Sequence, residues 1–263
     1  QGTAEIGHTT PYYAASKNSA MHFFSAVPFG MTAVETTAWL RYGGGQKLWD
    51  EIAGRHKVKS ILCATLPPEA SGWFRAPIKS VADLKGKKMR FFGLGARVME
   101  KLGVATQTLP VGDTVPALEL GTIDAAEISM PALDLKLGMA DYAKHYYFPG
   151  WHQQTSLITL MVNLDVWNGL DKQAQAAIQE VCRSAVSESV ALGEAIQFDA
   201  MKALKEQGVT FHRWSPEILQ ALRGAWGDVV TELSADKDFA RVWKSYSTFR
   251  ANYDQWRKMG YMS

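Results

Sequence analysis

At 263 residues the chain is long enough to bury a substantial core, as one large domain or as two lobes. Its composition, 47% hydrophobic and 21% charged, is that of an ordinary globular protein, and no apolar run approaches the roughly 20 residues that a membrane span needs. The net charge of +2 comes from interspersed signs with no Lys/Arg stripe, which argues against nucleic acid as a partner.

In chain order, AEIGHTT and MHFFSAVPF are short apolar runs closed by Thr-Thr-Pro and Pro-Phe-Gly, and both are expected to be strands. From Met31 to about Arg55 the pattern is helical, interrupted by Gly43, Gly44 and Gly45, which suit a helix end and a new start. VKSILCATL predicts a buried strand, and SVADLKG a short capped helix. A tight alternation follows: strand KKMRFF, helix ARVMEKLG, strand ATQTLP, helix DTVPALELG, strand TIDAAEIS. Such alternation means βαβ units and a mainly parallel sheet, with Asp113 expected as an N-cap and Gly103 and Gly121 just past helix ends. DYAKHYYFPGWHQQTSLITLMVN predicts a strand, a turn at Pro149-Gly150 and a further strand, the latter containing the longest apolar run of the chain.

Asp171 to about Gln207 reads as one long helix, with Ala174, Ile178, Cys182, Ala185, Leu192, Ile196 and Leu204 at roughly helical spacing. Its length would be roughly 50 Å at the helical rise, so it must bridge lobes or reach a partner. GVTFHRW predicts a strand, and Ser215-Pro216-Glu217 opens another helix. The remainder, to Ser263, is helical, and Trp226, Trp243, Tyr246, Phe249, Tyr253 and Trp256 are spaced as a packing face. There is no internal repeat and no low-complexity linker.

Cys63, in a strand-like run, and Cys182, in a helical one, fit no metal spacing; buried free thiols are the expected state and a disulfide the alternative. The compartment stays open on that ground. No signal peptide begins the chain, and QGTAEIGHTTPYY reads as the inside of a fold, so a targeting segment is expected to have been removed or never included.

KKMRFFGLGARVMEKLG carries the clearest chemical clue. A dinucleotide turn needs a third glycine where this chain has Val98, and the Lys-Ser/Thr of a phosphate loop is absent, so nucleotide binding is weakly supported. Arg90 lies at a strand end, where ligands of parallel sheets bind, and its planar fork suits a carboxylate; Gly93 and Gly95 clear space beside it, and a helix N-terminus follows. A surface arginine is the alternative. His8, His22, His56, His145, His152 and His212 show no metal-ligand spacing, although His152 stands beside Trp151. No nucleophile elbow, Cys-His signature or cofactor motif is present, and Asp124 and Glu127 are not by themselves an acid–base pair, so binding is favoured over catalysis.

AVPFGMTAVETTAWLRYGGGQKLWDEI, SVADLKGKKMRFFGLGARVMEKLGV, PALELGTIDAAEIS and YYFPGWHQQTS together resemble the substrate-binding proteins of TRAP (tripartite ATP-independent periplasmic) transporters, DctP type. The last stretch is similar to the branch that binds α-keto and hydroxy acids, and the family's first β-α-β portion, ahead of GTAEIGHTTPYY, is expected to be missing. The resemblance implies a two-lobed α/β fold of the type II periplasmic-binding-protein kind, with a long inter-lobe helix and a helical C-terminus. One lobe would comprise residues 1–65, about 150–170 and 208–263, the other 66–149, with 171–207 connecting them.

It also implies a periplasmic protein that captures a small 2-oxo or 2-hydroxy acid and delivers it, unchanged, to the membrane permease. The alternative is a metal-assisted lyase or isomerase acting on a keto acid. In the resemblance Arg90 is the carboxylate clamp, and Glu127 and the position of Gln153 hold ligand and cation. Ile128 stands where that branch has Trp, and Gln153 where it has Glu. The exchange removes a charge from a cation shell but leaves an oxygen donor, so a sodium or calcium ion beside the ligand and a direct hydrogen-bonded ligand with no cofactor both stay open. Glu69, where relatives often carry Gln, is a further ligand-binding candidate, and Tyr12, Tyr13, Phe29 and Trp151 are candidates for an aromatic wall. The branch exchanges its C-terminal helices between two subunits, which would make a homodimer; a monomer with the long helix as its spine is the alternative.

Overall fold

The computed structural model describes residues 4–262. In chain order it contains β1 (Ile6–Thr9), α1 (Ala33–Tyr42), α2 (Gly45–Gly54), β2 (Val58–Leu66), β3 (Gly72–Phe74), β4 (Lys88–Arg90), α3 (Gly93–Lys101), β5 (Ala105–Gln107), α4 (Val111–Glu119), β6 (Ala125–Ala126) and α5 (Pro131–Leu137). There follow β7 (His145–Phe148), β8 (Ser156–Asn163), α6 (Leu164–Gly169), α7 (Lys172–Ala195), α8 (Gln197–Glu206), β9 (Thr210–Arg213), α9 (Pro216–Leu233) and α10 (Lys237–Gly260).

The strands form two sheets, one ordered β1-β8-β2 and antiparallel, the other ordered β5-β4-β6-β3-β7-β9. In the second, β5, β4 and β6 run parallel, as the strand–helix alternation requires, while β3 is antiparallel to both β6 and β7. A large core packs Phe24, Trp39, Trp49 and Phe239 together with Phe74, Phe91 and Tyr147 of the six-stranded sheet region; a second core, around Trp73, Ile123 and Tyr146, covers that sheet's other face. None of the described helices is long and apolar enough to cross a membrane.

Local chemistry explains most boundaries. Thr32 and Glu35 form a capping box at α1, and α2 starts after Gly44, whose φ of 87° favours glycine. The MHFFSAVPF segment is not a strand: Ser19–Phe24 is a 3-10 helix capped by Asn18, whose Oδ1 accepts from Ala20 N–H at 3.0 Å. Its apolar run buries Ala20 with Phe23 and Met21 with Phe24, each pair one turn apart, instead of alternating faces. Asp113 is not a cap either, because α4 opens one residue after Pro110 and leaves Asp113 inside its first turn.

The long helix is two helices. The chain bends at Ile196, and Gln197 spans the junction, donating to Gly193 O at 2.7 Å and accepting from Ala132 N–H, in the first turn of α5, at 3.0 Å. This lays α7 on β2 and α8 on α5. Apolar spacing runs through the bend unbroken, so the pattern alone reads as one rod. The 208–263 segment is not one block beside residues 1–65: β9 pairs with β7 in the six-stranded sheet, α9 packs on α3, and α10 returns to α1 and α2. β7 and β8, adjacent in sequence, lie in different sheets, so residues 149–155 cross between them.

Cys63 and Cys182 form a disulfide joining β2 to α7, which corrects the expectation of free thiols. Cys63 sits at a register shift of β2 against β8, between Leu62 and Ala64. Local pattern carries no trace of a pairing across 119 residues. Closing so long a loop is expected to contribute about 2–4 kcal/mol, chiefly by restricting the unfolded chain. Urea denaturation should therefore show a fall of that order in Cys182→Ser, and a reductant should destabilise the parent chain but not the variant. Equal stability of parent and variant under oxidising conditions would contradict the link.

Candidate ligand-binding site

Arg90 ends β4 and Glu127 follows β6, two adjacent parallel strands in which Arg90 stands beside Ala126. The register continues past the strand ends, where Glu127 N–H donates to Arg90 O at 3.0 Å. Arg90 Nη1 donates to both the backbone carbonyl and Oε2 of Glu127, the latter at 3.1 Å, and Nε reaches Leu109 O at 3.3 Å. The guanidinium lies 4.0 Å over the Phe92 ring. Nη2 has no hydrogen-bond partner among the described residues.

Two further buried groups face this pair. Glu69 is fixed by its N–H donating to Gln153 O at 3.1 Å and by Ser129 Oγ donating to its Oε1 at 3.2 Å. The two backbones touch so closely that a Cβ on Gly150 would lie 2.1 Å from Glu69 O, which leaves glycine as the residue that fits there. His152 places Nε2 3.4 Å from Glu127 Oε1 and 3.7 Å from Glu69 Oε2. Glu69 Oε2 and both His152 ring nitrogens are buried with no hydrogen-bond partner among the described residues.

Burial pushes the Glu69 carboxyl up to about 8, with His152 opposing and Glu127 reinforcing the rise. Burial alone would lower His152, but the nearby Glu127 and Glu69 outweigh it and hold the imidazole at about 9. Burial would likewise raise Glu127, yet His152 and then Arg90 keep it below the ordinary carboxylate range. Behind them Asp134 accepts from Trp73 Nε1 at 2.8 Å and Tyr146 Oη at 2.7 Å, and burial still pushes it up to about 7.

Arg90, Glu127, Glu69 and Ser129 floor a cleft of about 490 Å³, with His152 and Asp134 set behind them. Arg90, Glu127, Gln153, Glu69 and Tyr13 all line it, and Tyr13, 66% exposed, stands at its mouth against Tyr12. The remaining wall is mainly apolar, with Phe92, Leu66, Ile128 and Leu137 prominent. Trp151 and Phe29 are not part of that wall. Trp151 is 2% exposed, stacked between Phe29 and Phe91, and its carbonyl accepts from Phe29 N–H at 2.6 Å, so it backs the site from the core. The residue set against Glu127 is His152, with Gln153 in the wall beside it. Sequence reasoning noted His152 only as the neighbour of Trp151 and passed over Ser129 and Asp134.

Two buried carboxylates within 4.8 Å of an imidazole nitrogen, one of them with a bare oxygen, fit a small cation, and Gln153 adds an amide in the same cleft. Oxygen donors of this kind suit a hard ion such as sodium or calcium.

Asp134, Glu69 and His152 all bind their protons more tightly when folded than their ordinary values. Each contributes stability that is fully present below its ordinary value and is lost as pH rises from there to its folded value, so stability should fall between about pH 4 and 9, with the Asp134 share lost by about pH 7. Asp134→Asn keeps an acceptor for Trp73 and Tyr146 without a charge. Chemical denaturation should show it gaining on the parent by roughly a few kcal/mol between pH 5 and 8.5. Parallel pH profiles for the two chains would contradict burial of an ionising Asp134.

Residues 1–237 match the family described as DctP, bacterial extracellular solute-binding protein family 7. The monocarboxylate 2-oxoacid-binding periplasmic protein of Nostoc sp. is 37% identical over 263 residues, covering 100% of this chain and 72% of that protein. A TRAP transporter solute-binding protein from Bordetella bronchiseptica, a mixed-occupancy dimer with copurified calcium and picolinate, superposes with a TM-score of 0.95 at 35% identity, over 98% of this chain and 77% of that one. A TRAP periplasmic solute-binding protein from Pseudoalteromonas atlantica, with bound sodium and pyruvate, gives 0.93 at 32% identity, over 98% and 79%.

Proposed function

The chain belongs to the bacterial extracellular solute-binding protein family 7, the DctP family, and on that premise we propose that it captures a small 2-oxo or 2-hydroxy monocarboxylate and passes it unchanged to a TRAP membrane permease. The observation that carries the reading is Arg90: buried, oriented on two sides by Glu127 and Leu109, and with Nη2 left for a ligand carboxylate. Glu69, Glu127 and Gln153 then face the 2-oxo or 2-hydroxy oxygen. A sodium or calcium ion held by the two carboxylates and the Gln153 amide would supply positive charge there. Phe92, Leu66 and Ile128 receive the ligand's carbon tail, and Tyr12 and Tyr13 cover the mouth.

The three-stranded and six-stranded sheets are read as the centres of two lobes, with the α7–α8 pair running from one to the other. Family and relatives are transport proteins, which supports capture over the lyase or isomerase alternative. A periplasmic location is supported by the family and by the Cys63–Cys182 disulfide, a bond that persists in oxidising compartments.

Calorimetry with pyruvate tests this. One acid should bind per chain and be recovered unaltered, and Arg90→Ala should weaken binding by about a hundredfold or more, since it strips a charge-assisted contact from a buried site. Unchanged affinity in that variant would remove Arg90 from the ligand, and turnover of the acid would restore the enzyme. Repeating the titration in sodium-free buffer with a calcium chelator separates the two binding modes: loss of binding supports the cation, full binding the direct hydrogen bonds.

We further propose a homodimer that exchanges its C-terminal helices. Trp256, Met259 and Tyr261, at the end of α10, are 59%, 86% and 56% exposed, an apolar tip left without cover in a single chain. Sedimentation at micromolar concentration should give a dimer, and truncation before Tyr253 should give a monomer. A full-length chain that stays monomeric at every accessible concentration would overturn the exchange.

A further inference from the structure

Past Phe92 and Gln153 the cleft is continued by a second, much smaller chamber of about 30 Å³. Its polar wall consists of Tyr12, His22, Ser25, His152, Gln153 and the first turn of α3. That turn has no side-chain cap, and the first amide to find a helical carbonyl is Ala96 N–H, on Phe92 O at 3.1 Å. The N–H groups of Gly93, Leu94 and Gly95 therefore have no acceptor inside the helix, although Leu94 and Gly95 are buried. Gly95 is tight against the Phe91 ring and the base of the His152 side chain, with 3.0 Å between its ideal Cβ position and His152 Cβ.

The second observation is His152 itself, 4% exposed and lining the chamber, with an Nδ1 that has no hydrogen-bond partner among the described residues. Every side chain that brings a polar atom to the wall can donate a hydrogen bond, and no carboxylate is among them. Burial and then the Arg97 charge push His22 down to about 4. Uncapped helix amides, imidazole donors and no acid form a surface for negative charge. The space suits one monatomic ion or a water or two, and is too small for an organic acid.

We propose that this chamber is a binding site for a small monovalent inorganic anion of chloride size, separate from the organic-acid cleft and independent of which acid fills that cleft. The anion would accept from the α3 amides and from His152. It would thereby hold the imidazole with Nε2 toward Glu127 and Glu69, through a wall in which Tyr12, Phe92 and Gln153 serve both chambers.

Bromide is the probe. Crystals of the full chain grown in potassium bromide, measured at the bromine absorption edge, should show an anomalous peak in the chamber beside the Leu94 and Gly95 amides. The melting temperature of the acid-free protein should be about 2–4 °C higher in potassium bromide than in potassium methanesulfonate at matched ionic strength. His22→Phe, which fills the chamber, should abolish that difference while leaving pyruvate affinity in methanesulfonate unchanged. If that variant does not fold, the two measurements on the parent chain decide alone. Absence of an anomalous peak there, or identical melting in the two salts, overturns the proposal.

Discussion

A buried arginine and a buried glutamate at the ends of neighbouring parallel strands set the terms for the rest of this molecule. Desolvating Arg90 and Glu127 costs several kcal/mol each, which their mutual attraction offsets only when geometry is fixed and the other polar atoms find partners. The register of β4 on β6 supplies that geometry through the backbone. Phe92 covers the guanidinium, and Leu109 O takes Nε. A pair replaced by apolar side chains would serve folding as well or better; its presence makes sense as the means of keeping one guanidinium edge aimed at the cleft.

The second constraint is the segment between β7 and β8. In a handful of residues the chain leaves one sheet, presses Gly150 against Glu69, buries Trp151 between Phe29 and Phe91, sets His152 against two acids and enters the centre of the other sheet. Site and sheet crossing are thus the same stretch of chain, so a movement of one sheet relative to the other would be felt at Glu69 and His152. The disulfide and the α7–α8 bend anchor the same connection from outside, one on β2 and the other on α5.

Much of this was legible in the sequence where the cause is local. β2 occupies the residues its apolar run marks, Gly103 and Gly121 follow helix ends with positive φ, and the strand–helix alternation produces the parallel strands. Arg90 could be singled out because a strand end followed by a glycine turn is a local signal. What escaped depends on distance. The Cys63–Cys182 bond, the bend at Ile196 demanded by packing on α5, and the return of β9 to the six-stranded sheet leave no periodic mark. Asp134, and the placement of His152 against Glu69 and Glu127, escaped for the same reason: their partners come from β3, β6, β7 and the loops beside them, and neither residue belongs to a spacing motif. Trp151 misled because an aromatic beside a site and an aromatic behind it look alike in one dimension.

A crystal structure of the chain grown with saturating pyruvate tests the central claim most directly. The account predicts one pyruvate in the cleft, its carboxylate within hydrogen-bonding distance of the Arg90 guanidinium and its 2-oxo oxygen either accepting from the Gln153 amide or the protonated Glu69 carboxyl, or bound to a cation that Glu69 and Glu127 hold. Pyruvate bound only in another cleft, such as the one between β2 and α7 lined by Arg41, Lys59 and Arg183, with Arg90 engaged by protein alone, would contradict it.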